Sequence, residues 1–544
     1  MRALLVLLAL LLALPAAAQS ADDLLAQGRA AYDAGDYAES GRLYAAGIEA
    51  GSREGGAAYN AACAFALSGD PEAAFHFLRV AADFGFSDAD LLTRDTDLES
   101  LRDDDRWPTV VADYERRAAR AERFWNSPAM RTPFQENLSE DEKLAGLARL
   151  WSEAKFNFAN FDLVPDLDWD SLYVATIPEV RATASTLDYY RVLMAMVAQL
   201  QDGHSNVYAP EALYTKAYAR PGLRTRLIDG RVVIVAVRDS ALAARGVSVG
   251  QEVVGIDGMD VHDYAATHVR PYQSASTAQD LNVRTYEYAL FAGDVEAEIG
   301  LDLRTADGST WSLPVRRLTS AQVQALGPSR ERFAWAMRPG NVAHVQLNSF
   351  GSPEAAEQFE AQFDAIAEAD ALVLDVRNNG GGSSGVGYRV LCALTDAASI
   401  QTSSWRTRLY RPAYRAWGRP EATEGDLAGS WSCGGSRHFD GPVAVLAGPR
   451  TFSAAEDFAV AFDLMDRGPI VGEPTGGSTG QPLFFRLPGG GSARVTSKRD
   501  AYPDGRDFVG TGVLPDVVAA AGVDDVRAGR DAVLEAALDA LADG

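Results

Sequence analysis

A serine at the junction of an apolar run and a helical one is the first place in this sequence where chemistry could sit. Ser453 lies in GPRTFSAAEDF, directly after PVAVLAGP (442–449), a strand-type run closed by Gly and Pro. Beyond it Phe458, Phe462 and Met465 recur at i, i+4 and i+7, the spacing of a buried helical face. A hydroxyl there stands beside the unpaired amides of a helix N-terminus, which can stabilise a developing oxyanion. The same residues have a purely structural reading. Ser453 and Glu456 fit S-x-x-E, a capping box, and such boxes are common. A nucleophilic serine also needs a base, and neutral imidazole titrates in the right range. Among six histidines, His204 is the candidate: the helical run LDYYRVLMAMVAQLQ (187–201) ends at DGHS, where Asp-Gly breaks the helix and presents it on a loop. A lone loop histidine is more often a surface residue. His76 and His344 fall within a helix and a strand, and His262, His268 and His438 have no other catalytic signal around them.

The elements that must position these residues can be read from composition and pattern. At 544 residues and 47% hydrophobic the chain can bury several cores, which implies three or more domains. Its net charge of −25 argues against nucleic acid or an anionic membrane surface as partner. Residues 1–18 read as a signal peptide: Arg2, an apolar stretch (3–14), Pro15 and a small-residue cleavage site, Ala16-Ala17-Ala18. No later apolar run is long enough to span a bilayer, so a secreted or periplasmic protein without a transmembrane anchor is expected. Three cysteines make no disulfide framework, and a Cys392–Cys433 bridge stays open. No metal-ligand spacing is present, and no cofactor is expected.

Residues 19–125 look helical and repeated. AAYDAGDYAESGRLY (30–44) aligns with AFALSGDPEAAFHFL (64–78), Gly35-Asp36 matching Gly69-Asp70 at an offset of 34 residues, the period of a tetratricopeptide helix pair. Small residues, Ala30 and Ala64, stand where paired helices would meet. Such a region binds or scaffolds more often than it catalyses, so an adaptor protein is a candidate partner. Residues 126–140 read as a linker, 141–212 as a helical segment carrying DGHS, and 213–318 as short strands with Asp-Gly turns. From 325 to 522 strands and helices alternate, an α/β layered pattern with an Arg- and aromatic-rich insertion at 402–440, and a last helix occupies 523–544.

VLDVRNNGGG (373–382), GPRTFSAAEDFAVAF (448–462), VGEPTGG (471–477) and DGHS, in their order along roughly residues 140–520, resemble the C-terminal processing (tail-specific) serine protease family and its tricorn-like and retinoid-binding-protein-like relatives. The segment DSALAARGVSVGQEVVGIDGMDV (239–261) resembles a PDZ domain, with PGLR (221–224) at its carboxylate loop. The resemblance implies a multidomain α/β protein: a crotonase/ClpP-like core with an inserted PDZ-like β-domain and N-terminal helical repeats. It puts Ser453 on the nucleophile position and implies peptide ends held at Gly222 and Leu223. Many of these proteases use a lysine just after G-E-P-T. Here that position is Ser478, so the tricorn-like solution, His204 as base, is expected. The auxiliary serine that tricorn-type sites carry before the histidine is absent, the residue being Gly203. The orienting carboxylate would come from the segment after the final hairpin, with Asp507 first and Asp504 and Glu473 behind it. Backbone amides of Gly381 or Gly382 and Ala454 would form the oxyanion hole, glycine allowing close approach of a carbonyl. A phosphate cradle is the rival use of the glycines, but neither nucleotide-binding glycine motif occurs.

The expected function is therefore an extracytoplasmic serine endopeptidase cleaving protein or peptide chains, at or near their C-termini, through an acyl-enzyme. Its kcat/KM would rise through a histidine pKa at about pH 6–7. The alternative is a ligand- or peptide-binding scaffold on the same fold without proteolysis.

Overall fold

The computed structural model describes residues 20–543 except 328, 329, 428 and 436. The leader expected at residues 1–18 lies outside them. The chain forms two compact units, one ending at Pro128 and one beginning at Ala129.

The first unit is helical, and its repeated Gly-Asp pairs explain its hairpins. Gly35 (φ +79°) and Gly69 (φ +83°) take the left-handed conformation that ends a helix. Asp36 and Asp70 then cap the next one, accepting the N–H of Glu39 (3.2 Å) and Ala73 (3.0 Å). The result is two helix pairs, Ala21–Asp33 with Tyr37–Glu49 and Gly55–Leu67 with Pro71–Asp83, before a final long helix, Trp107–Trp125. The close approach in the first pair is made at Gly28, where an added Cβ would lie 3.2 Å from the Tyr44 ring. Ala30, expected there, is exposed, whereas Ala64 is buried.

The second unit is built on a six-stranded sheet. Its strands run in the order Val517–Val518, Ile470–Gly472, Val443–Ala447, Ala371–Asp375, Val342–Leu347 and Phe333–Arg338. The first five are parallel and only the last, an edge strand, is antiparallel. Both faces are covered, which is why these strands read as continuous apolar runs. Leu372, Leu374, Val443 and Val445 pack under the helices Glu354–Ile366, Ser384–Leu391 and Ala454–Leu464. The alternate residues Val373, Ala444 and Leu446 meet Val533, Leu534 and Ala537 of the last helix. That C-terminal segment is two helices, Val523–Ala528 and Ala532–Asp543, broken at Gly529 (φ +67°), not one.

Three further elements bear on the site. Helices Glu140–Asn157, Trp169–Ala182 and Thr186–Ala198 share a core with the small antiparallel sheet Asn206–Tyr208, Ser492–Thr496, Pro482–Arg486. A six-stranded sheet begins at the edge strand Leu223–Ile228 and ends at Thr310–Val315, with the short strand Met259–Asp260 paired to Glu252–Ile256 beside the main order, and its neck is closed by the bridges Ala219–Gly293 and Arg220–Leu318. The insertion pairs Ser404–Leu409 with both Ala422–Asp426 and Lys498–Ala501. The stretch expected as a linker is not free along its length: Leu138 is buried and Thr132 accepts the Gly489 N–H at 3.1 Å.

Cys392 and Cys433 are joined in a disulfide across 41 residues of sequence. Closing a loop of that length restricts the unfolded chain, so Cys392→Ser with Cys433→Ser should lower unfolding stability by about 3–4 kcal/mol in a denaturant titration.

Candidate active site

The turn that carries Ser453 is held in a backbone shape that serine rarely adopts, φ +58° and ψ −128°. Such a conformation costs about 1–3 kcal/mol and persists only where the surroundings impose it. Here they do. The Phe452 N–H donates to Asn379 O (3.0 Å), the Ser453 N–H to Ser478 O (3.2 Å), and the Ser453 N–H also to Glu456 Oε2 (3.1 Å). Glu456 thus makes its half of a capping box, while the Ser453 hydroxyl turns away from the helix to His204 Nε2, 3.0 Å distant.

His204 arrives from a remote part of the chain and is fixed before it meets the serine. Asp202 accepts the His204 N–H (3.0 Å), the Ser205 hydroxyl (2.9 Å) and the Thr496 hydroxyl (2.5 Å), which pins the DGHS loop to the small sheet. Immediately after the loop, Asn206–Tyr208 pairs antiparallel with Ser492–Thr496. The imidazole is 4% exposed, so it is a core side chain rather than a surface one. It stacks on Phe452, ring centroids 4.8 Å apart.

The other imidazole nitrogen, Nδ1, meets the Ser478 hydroxyl at 2.9 Å. Asp507 does not reach it. That residue is 35% exposed and faces Arg406 (3.3 Å) and Arg499 (3.7 Å). Asp504 pairs with Arg506, and Glu473 lines a separate cleft. The carboxylate expected behind His204 is therefore replaced by a hydroxyl. The reason is spatial. A Cβ on Gly203 would lie 2.9 Å from Ser478 Oγ and 2.8 Å from Phe452 Cζ, so the space a serine at 203 would use is already filled by Ser478. The signal for Ser478 was its place after GEPTGG, but nothing in the sequence says which way that side chain points.

Burial, then Arg494 and Arg284, hold the His204 pKa well below its ordinary value. This moves the acid limb expected at about pH 6–7 downward, because a buried imidazolium beside two guanidiniums is costly to form. Arg284 is itself engaged, donating to Gly203 O (2.9 Å) and Asp280 Oδ2 (2.8 Å).

Opposite the imidazole, the glycine loop lies against the serine. A Cβ on Gly381 would stand 2.7 Å from Ser453 Cβ and 3.0 Å from Ala454 N, and Gly381 has φ +95°. Its N–H, however, donates to Asn379 Oδ1 at 2.9 Å, which removes it from the expected oxyanion set. The N–H groups of Gly382 and Ala454 have no acceptor among the described residues. Arg377 braces the loop, paired with Asp375 and Asp531 at 2.7 Å each. Gly222 and Leu223 sit elsewhere, at the head of the inserted sheet's edge strand, lining a cavity with Arg450.

Several known proteins resemble the chain. Residues 341–519 match the model of peptidase family S41. The chain carries an S41 peptidase domain. It is 24% identical over 349 residues to a carboxyl-terminal-processing protease of Picosynechococcus sp., covering 60% of this chain and 72% of that protein. It is 31% identical over 189 residues to a chloroplastic C-terminal processing peptidase of Tetradesmus obliquus, covering 34% of this chain and 37% of that protein. The structure of mature CPAF complexed with lactacystin superposes with a TM-score of 0.58 at 16% identity, covering 74% of this chain and 97% of that one, a likeness of fold. By family, then, the chain is a serine peptidase related to the C-terminal processing proteases. Ser453, the glycine loop and Ser478 all fall inside the S41 domain, whereas His204 lies outside it.

Glu456 is completely buried, and burial pushes its pKa up to about 7. Four donors hold the ionised form against this: the Thr475 hydroxyl (2.6 Å) and the N–H groups of Gly477 (2.7 Å), Ser478 (3.0 Å) and Ser453 (3.1 Å). In Glu456→Gln an amide NH2 would face two of those donors. Thermal or denaturant unfolding should show a loss of about 2–4 kcal/mol.

Proposed function

We propose that the S41 domain hydrolyses protein or peptide chains with Ser453 as nucleophile, His204 as general base and Ser478 as the group that orients the base. The observation that carries this reading is the unbroken contact from Ser453 Oγ to His204 Nε2 (3.0 Å) and from His204 Nδ1 to Ser478 Oγ (2.9 Å). For Nε2 to accept the serine proton, Nδ1 must carry the ring proton and donate it to Ser478 Oγ. The Ser453 oxygen then attacks the scissile carbonyl, and the oxyanion meets the amides of Gly382 and Ala454. His204 returns its proton to the leaving amine, an acyl-enzyme remains on Ser453, and water attacks it by the same proton route in reverse.

The inserted β-sheet is read as a PDZ-like module that presents chain ends, and the N-terminal helix pairs as tetratricopeptide-like repeats that bind an adaptor. The leader-like N-terminus supports action outside the cytoplasm. No helix among the described residues is long and apolar enough to cross a membrane.

A fluorophosphonate probe should label the wild-type chain at Ser453, with labelling and cleavage of unstructured proteins lost in Ser453→Ala and His204→Ala. Wild-type protein that neither labels nor cleaves would leave only the binding-scaffold alternative. Ser478→Ala should keep the fold and lower kcat by about 10- to 150-fold, the worth of one hydrogen bond to a group that becomes charged in the transition state. The pH profile follows from the depressed His204 pKa. The imidazole is neutral at and above neutrality, so kcat/KM should be flat there and fall only as pH drops well below 6.5.

A further inference from the structure

The cleft between the inserted sheet and the Ser453 turn holds more guanidinium than carboxylate. At its narrow end a cavity of about 230 Å3 is lined by Pro221, Gly222 and Leu223, by Phe291, and by Arg450, three residues before Ser453. Its charged groups are Arg220, Arg224, Arg238 and Arg450 against one carboxylate, Glu287. Arg238 is engaged by the carbonyls of Val323 and Gly327. Glu287, its side chain 3% exposed, accepts from Arg226 Nε at Oε1, 3.0 Å away. Its Oε2 lies 3.5 Å from both Arg224 and Arg450, beyond good hydrogen-bonding distance. That oxygen, together with Arg450 Nε and Nη1, is buried without a hydrogen-bond partner.

One carboxylate thus serves three guanidiniums. The next, Glu473, stands on the wide side of the cleft and does not line the narrow cavity, and burial raises its pKa above the ordinary carboxylate range. Burial, then the neighbouring Arg450, likewise lowers Arg224 below its ordinary range. Guanidiniums buried with too few partners are costly, and an incoming anion relieves that cost. The cavity is smaller than the roughly 300–1,000 Å3 of ordinary small-molecule sites, and suits one residue at a chain end. It opens beside Leu223–Ile228, the edge strand of its sheet, where an extended peptide can add by main-chain hydrogen bonds.

We propose that this cavity receives the last residue of a peptide and that the residue it selects is Asp or Glu, whose side-chain carboxylate bridges Arg224 and Arg450. The fate of the bound peptide rests on the peptidase reading, but the selection does not. Because the chain carries a net charge of −25, acidic ends are repelled over much of its surface, so the preference depends on this site and weakens with salt.

The test is fluorescence anisotropy with the full chain bearing Ser453→Ala, using ten-residue unstructured peptides that differ only at the end: Glu, Asp, Ala, and Glu with an amidated terminus. Glu and Asp should bind about tenfold or more tightly than Ala, with the amide weakened comparably. Arg224→Gln with Arg450→Gln should reduce the Glu-over-Ala ratio to below about threefold. Equal binding of Glu and Ala ends overturns the proposal without any need for a variant. So does an amide that binds as well as the free acid, or a preference that survives in the double variant. Fluorophosphonate labelling of wild type separates the two readings. Label without preference sinks the selection alone, and preference without label sinks the peptidase alone.

Discussion

A single buried carboxylate holds the site together. Glu456, completely buried, binds the N–H of Ser453 on one side and the N–H groups of Gly477 and Ser478 and the Thr475 hydroxyl on the other. Those donors belong to two strand-to-loop exits of the central sheet, after Val443–Ala447 and after Ile470–Gly472. One carboxylate therefore ties the strained turn of Ser453 to the segment whose hydroxyl faces His204. Four hydrogen bonds to one carboxyl group in a low-dielectric interior are stiff, and this stiffness is what a non-glycine residue at φ +58° requires. The S-x-x-E pair is at once a helix cap and the mortar of the site, because the helix N-terminus and the proposed nucleophile are the same turn.

His204 is surrounded differently from the histidine of a serine triad. A hydroxyl stands at Nδ1, and the charges that act on the ring are Arg284 and Arg494, both opposing protonation. The imidazole is thereby kept neutral over a broad pH range, and the imidazolium that the proposed mechanism requires becomes more costly to form. Asp280 lies near but is bound to Arg284, and burial pushes its pKa up to about 6. Arg284, in the segment Val283–Ala289 and outside residues 341–519, thus acts from outside the S41 domain on an imidazole that contacts Ser453 within it.

Local patterns were legible where one segment carries the whole signal. The strand and helix around Ser453, the Asp-Gly hairpin turns at Asp229-Gly230 and Asp257-Gly258, and the Gly-Asp corners of the helix pairs all follow from periodicity and turn chemistry. Two readings failed for one shared reason. Asp507 was favoured because it lies in the segment from which a relative's carboxylate would come, yet Arg406 and Arg499 draw it aside. Gly381 was a reasonable oxyanion donor until the Asn379 side chain took its N–H. In both cases a neighbour in space, not in sequence, decides what the polar group does.

By itself the amino-acid sequence determined the alternation of elements, the turn of Ser453 and the loop of His204, because each rests on contacts between residues a few positions apart. Only the tertiary structure decided that Ser478 stands behind His204, that Glu456 binds four donors, and that Arg224 and Arg450 share one carboxylate. Side-chain direction at a loop is set by packing from strands hundreds of residues away, as when Ser492–Thr496 pairs with Asn206–Tyr208 and carries His204 into the core. Such pairings leave no mark on the local pattern of either segment.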